Sequence, residues 1–91
     1  MIIDTIRFDK IGKALGDPRR LEIYRLIAKN PGITCGEVVS SADVSQPTVS
    51  HHLKELTDCG LVNGIKDGQF TRLSPDLEVL EAYRNFLQEL A

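Results

Sequence analysis

The sequence has no apolar run approaching the ~18–20 residues needed to span a bilayer, which excludes a transmembrane helix. Its opening residues, Met1-Ile2-Ile3-Asp4, lack the basic stretch and apolar run of a secretory signal, so the expected compartment is the cytoplasm. Cysteine is scarce: Cys35 and Cys59 are too few for a disulfide framework. An excess of positive charge is missing too, with 11 Lys and Arg against 13 Asp and Glu for a formal net charge of −2. Affinity gained by neutralising phosphates is therefore expected to be modest. There is no phosphate-binding glycine loop, metal-ligand pair or paired acid–base constellation, and so short a chain hardly encloses a pocket. These absences argue against an enzyme and leave no cofactor to expect.

What is present fits one domain over residues 1–91, without repeats, linkers or low-complexity stretches. A hydrophobic share of 42% is ample for a core. At this size folding buries only roughly 60–65% of the unfolded chain's surface, so a lone core is marginal and a partner subunit would help. Charge is unevenly placed. Residues 1–30 carry seven Lys and Arg against four Asp and Glu, whereas residues 74–91 set Arg84 against Asp76, Glu78, Glu81 and Glu89.

Apolar periodicity predicts four helices, a hairpin and a fifth helix. Ile2, Ile3, Ile6, Ile11 and Leu15 recur at mostly helical spacing up to Gly16, a C-terminal stop. Asp17-Pro18 opens the second helix with an N-cap and a proline where no N–H is needed. Leu21, Tyr24, Ile27 and Ala28 form its expected apolar face, with Arg19, Arg20, Arg25 and Lys29 largely off it. Asn30-Pro31-Gly32 closes it, because proline disfavours α backbone in the residue before. Thr34 and Glu37 make a capping box for a short helix over about Cys35–Ala42 that buries Val38. After Asp43-Val44, Ser45 caps a fourth helix from about Gln46 to Cys59, with Val49, Leu53 and Leu56 inward and Gly60 as its stop. The period then drops to two: residues 61–66 and 69–74 flank Asp67-Gly68, a strong hairpin signal. Asp76 leads into a last helix, about Leu77–Leu90. One of its edges carries Leu77, Leu80, Tyr83, Leu87 and Leu90, the other Val79, Ala82 and Phe86. So wide an apolar arc exceeds what this domain can bury, and dimerisation is the economical explanation.

Two helices joined by a three- or four-residue turn and followed by a hairpin describe a winged helix-turn-helix, mainly α with the order α-α-α-α-β-β-α. In that motif the second helix enters the DNA major groove by its N-terminal end. Ser45-Gln46-Pro47-Thr48-Val49-Ser50-His51-His52 stands at that end here. With Val49 and Leu53 inward, Gln46, Pro47, Ser50 and His51 fall on the outer arc, and Lys54 lies one turn on. Gln can pair bidentately with adenine, Ser serves either strand, and Lys or His reaches guanine or phosphate. The helix start favours a phosphate, although Pro47 supplies no N–H. On the wing, Lys66 and Arg72 are candidate phosphate contacts and Gln69 lies near the tip. The expected DNA-contacting set is Ser45, Gln46, Pro47, Thr48, Ser50, His51, Lys54, Lys66, Gln69 and Arg72. The alternative is a winged helix used as a protein–protein module, which would want an apolar or acidic outer face on the fourth helix.

The stretches Ala14-Leu15-Gly16-Asp17-Pro18-Arg19-Arg20-Leu21, Ser45 through Leu56, and Cys59-Gly60-Leu61-Val62 resemble the ArsR/SmtB family of bacterial winged-helix repressors, over nearly the whole chain. The resemblance implies a homodimer formed through the first and last helices, an inverted-repeat DNA operator, and an effector that releases the DNA. By matching position it assigns base contacts to Gln46, Pro47, Ser50 and His51, with Pro47 where relatives often have a small polar residue. Dimeric docking would set the two recognition helices about 34 Å apart.

The metal sites of that family are not rebuilt. Its arsenic-sensing subset carries Cys-x-Cys followed by Asp, positions that fall here on Thr34, Gly36 and Glu37, whereas the cysteine is Cys35. A shift of one residue turns a helical side chain by about 100°. Its zinc-sensing subset uses histidine and carboxylates on the last helix, which here offers Asp76, Glu78 and Glu81 without a histidine. His51 and His52, adjacent on one helix, point about 100° apart and cannot share an ion. His51 reads as a DNA contact and His52 as a partly buried packing residue. Cys35 and Cys59 form a possible thiol switch: Cys35 starts a helix, whose dipole favours the reactive thiolate, and Cys59 ends the recognition helix. The competing reading is that isolated cysteines are small buried hydrophobes.

Overall fold

A computed structural model describes residues 6–91, in the order α1 (Phe8–Leu15), α2 (Pro18–Lys29), β1 (Ile33–Thr34), α3 (Cys35–Ala42), α4 (Gln46–Asp58), β2 (Val62–Asp67), β3 (Phe70–Pro75), α5 (Leu77–Glu89). Ile2 and Ile3, assigned above to the first helix, lie outside the described residues. Caps set most of the boundaries. Asp17 accepts from the Arg20 backbone N–H at the start of α2, and Thr34 with Glu37 forms the reciprocal capping box of α3. Gly60, at φ 89°, ends α4 in the left-handed region that a side chain resists. Gly60→Ala is expected to cost about 1–2 kcal/mol of stability, read as a lower thermal midpoint. An unchanged melt would show that the chain can leave α4 another way.

The apolar face of α2 is rotated from its expected position. Ile23, Tyr24 and Ile27 are buried together with Arg20, while Leu21 and Ala28 are exposed. Both sets have helical spacing, and burial against α4 and the sheet selects the one that includes an arginine. With Ile11, Val38, Val49, Leu53, Leu56, Leu61 and Leu73, these side chains make one core between the helices and the sheet.

The sheet has three strands in the order β1-β3-β2, all neighbours antiparallel. The hairpin expectation named two strands. The third, β1, is two residues long and carries no periodicity of its own, pairing Ile33 with Leu73 and Thr34 with Arg72. The hairpin turn is also displaced by one residue. Asp67 pairs with Phe70, so the loop is Gly68-Gln69 rather than Asp67-Gly68. Gly68, at φ 63°, takes the first central position, the pattern of a type II′ turn.

At the far end of the domain, Phe8 of α1 stacks on Phe86 of α5 with centroids 4.4 Å apart and planes 6° apart, and Tyr83 flanks both rings. This clasp holds one side of α5, and Val79 of the same helix is buried in the core. Leu77, Leu87 and Leu90 remain exposed at 66%, 45% and 67%. Among the described residues the wide apolar arc of α5 is therefore only partly covered.

Candidate nucleic-acid interface

The turn between α3 and α4 holds three residues, Asp43-Val44-Ser45. Asp43 adopts the left-handed region at φ 52°, ψ 41°, which Asp tolerates better than most side chains. Val44 is half-buried and pins the turn, and Ser45 caps α4. The Thr48 backbone N–H donates to Ser45 Oγ at 3.4 Å, and the two hydroxyl oxygens lie 2.9 Å apart. Ser45 and Thr48 therefore already serve the cap. Gln46, Pro47, Ser50 and His51 are exposed, and among the described residues none of their side chains makes a hydrogen bond or ion pair, the His51 ring lying 5.7 Å from that of His52. Beneath them Val49, Leu53 and Leu56 are buried, so the outer arc is presented as a fixed face.

Lys54 lies one turn further along and is exposed, paired with Asp58 at 2.8 Å. An exposed i,i+4 pair contributes little, so a phosphate can displace the carboxylate. On the wing, Lys66 and Gln69 are exposed. Arg72 is differently placed. Its Nε donates to Asp67 at 2.7 Å and its Nη1 to the Gly32 carbonyl at 3.1 Å, bracing the hairpin against the loop before β1. The solvent face of the wing also bears Ile65 and Phe70, 64% and 49% exposed, as diagonal neighbours across β2 and β3.

Behind the outer arc is a polar contact that the sequence reading, which set Arg20 off the apolar face of α2, did not single out. Arg20 and His52 are 9% and 7% exposed, and the Arg20 Nε donates to His52 Nδ1 at 3.3 Å. Burial, and then the neighbouring guanidinium, push the His52 imidazole below its usual value near 6.5. The signal was the helical spacing of Arg20 with Ile23, Tyr24 and Ile27.

The two thiols occupy unlike settings. Cys35 is exposed in the first turn of α3. Cys59 is buried at the end of α4 and donates to the Leu56 carbonyl at 3.4 Å. Burial pushes its thiol up, away from the reactive thiolate. Among the described residues no group of three His, Cys, Asp or Glu side chains is placed to hold a metal ion, and no helix is long and apolar enough to cross a membrane.

Comparison with known proteins places this arrangement. A helix-turn-helix domain model matches residues 15–65, from the end of α1 into the wing. An uncharacterized HTH-type transcriptional regulator of Methanocaldococcus jannaschii is 41% identical over 59 residues, 65% of this chain and 66% of that protein. A probable mercury resistance operon repressor of Streptomyces lividans is 44% identical over 62 residues, 68% of this chain and 49% of the relative. The matched stretches thus span about half to two thirds of these relatives. Among solved structures, an ArsR-like transcriptional regulator from Rhodococcus sp. RHA1 superposes with a TM-score of 0.83 at 24% identity, covering 91% of this chain and 77% of that one. An ArsR family transcriptional regulator does so with a TM-score of 0.78 at 26% identity, covering 90% and 84%.

Proposed function

The chain belongs to the ArsR/SmtB family of winged helix-turn-helix regulators, and from that premise we propose that it is a sequence-specific DNA-binding transcriptional repressor. It acts as a homodimer on an inverted-repeat operator and lets go when an effector binds. The observation that carries this reading is the outer arc of α4, where Gln46, Pro47, Ser50 and His51 stand exposed over a buried aliphatic stripe. The polar groups of Gln46, Ser50 and His51, held on a rigid helix without hydrogen-bond partners, are what base edges require. Lys54, Lys66 and Gln69 supply backbone contacts, with Ser45 and Thr48 at the phosphate-facing helix start. Arg72 reaches phosphate only by giving up Asp67. Of the two thiols, exposed Cys35 is the one placed to meet a thiol-reactive effector.

Selection of bound duplexes from a random library tests the reading directly. An enriched, two-fold symmetric sequence is expected. On that sequence Gln46→Ala should lose about 1–3 kcal/mol, roughly 5- to 150-fold in affinity, with non-specific binding unchanged. A library from which nothing is enriched would instead support a protein–protein module, to which exposed Ile65 and Phe70 would lend a surface.

A further inference from the structure

We propose that Arg20 and His52 position the recognition helix α4 for DNA, and that protonation of His52 breaks this contact and weakens operator binding in acid. The inference rests on the DNA-binding reading and concerns regulation of the same surface.

The other grips on α4 are aliphatic: Val49, Leu53 and Leu56 fill space without fixing direction. The Arg20–His52 hydrogen bond is directional and joins residues 32 apart in sequence. It lies in the second turn of α4, directly after the outward-facing His51, so a change there turns the residues that face the groove. The bond requires an imidazole with an unprotonated Nδ1. Among the described residues no carboxylate forms an ion pair with Arg20, and His52 is its recorded side-chain partner.

Protonating Nδ1 replaces the acceptor with a donor and sets a second cation 3.3 Å from the guanidinium. Arg19 and His51 add charge of the same sign. Among the described residues Asp17, the α2 cap, is the one opposing carboxylate acting on His52, and its Oδ1 already accepts the Arg20 backbone N–H at 3.0 Å. Burial and these charges keep His52 neutral above its ordinary value near 6.5 and resist its protonation below it. The unfolded chain takes up that proton first as pH falls. Stability is therefore full above about pH 6.5 and declines as the pH drops toward the lower folded value.

The direction of the binding change distinguishes this device from general electrostatics. Protonation elsewhere adds positive charge and would strengthen DNA binding. The test measures affinity for the selected operator by fluorescence anisotropy between pH 7.5 and 5.5, with thermal melts at each pH. Wild type is expected to lose affinity steadily below about pH 6.5, by up to roughly tenfold per His52 at pH 5.5. His52→Asn, whose amide oxygen replaces Nδ1 as acceptor, should match wild type at pH 7.5 and lose most of the acid response. His51→Asn should keep that response. A flat or rising wild-type affinity in acid overturns the proposal, as does a response that persists in His52→Asn. Failure of all variants and wild type to bind any sequence at pH 7.5 sinks the DNA reading instead. The contact is then judged by the melts, and acid destabilisation equal in wild type and His52→Asn overturns it.

Discussion

Replacing Leu87 and Leu90 together with glutamate is expected to yield a folded monomer whose operator affinity has fallen by two orders of magnitude or more. Both side chains lie on the part of α5 that the chain leaves uncovered, 45% and 67% exposed. Burying a leucine fully contributes about 1.5–3 kcal/mol, so two per subunit across a two-fold axis supply much of a dimer's stability. Their loss costs the monomer little, because α5 is seated through Val79 and through the Phe8–Phe86 stack on its other side. The large effect arises at the DNA. Two linked reading heads gain about 10²–10⁴ in avidity over one, and a monomer forfeits that factor without losing any base contact of its own. Sedimentation and anisotropy on the same samples check the expectation. A double variant that stays dimeric, or that binds a full operator like wild type, rules out α5 as the dimer surface.

A second large effect is expected inside the core. Leu56→Ala should destabilise the domain by about 2–5 kcal/mol, as large-to-small changes at fully buried sites do. Leu56 is 0% exposed on the inward stripe of α4, and its backbone carbonyl region closes the helix through Cys59 and Leu61. Typical domains hold only about 5–15 kcal/mol in total, and for a chain of this length each kcal/mol moves the midpoint by about 4–8 °C. A drop of about 8–40 °C in the thermal melt follows. A fall of only a few degrees would mean that neighbouring side chains collapse into the space, and that α4 is held mainly by its polar contact with α2.

The sequence by itself determined the elements whose signals are local. Asp17, Thr34 with Glu37, Ser45 and Gly60 bound their helices as expected, because a cap is settled by a few neighbouring backbone groups. The outer arc of α4 was legible for the same reason: Val49, Leu53 and Leu56 fix which side faces in, and the remaining residues must face out.

Only the tertiary structure decided the rest, because each undecided point depended on a partner far along the chain. Which of two helical stripes on α2 is buried turned on packing against α4 and the sheet, which also brings Arg20 to His52, 32 residues away. The strand Ile33–Thr34 exists only because β3 lies beside it, and the turn moved to Gly68-Gln69 because pairing along the whole ribbon sets the register. Arg72 reads in sequence as a candidate phosphate contact, yet Asp67 and the Gly32 carbonyl hold it. The sequence also predicted that α5 carries more apolar surface than the domain could bury. The fold decided which leucines stay outside, by spending the aromatic side of that helix on Phe8.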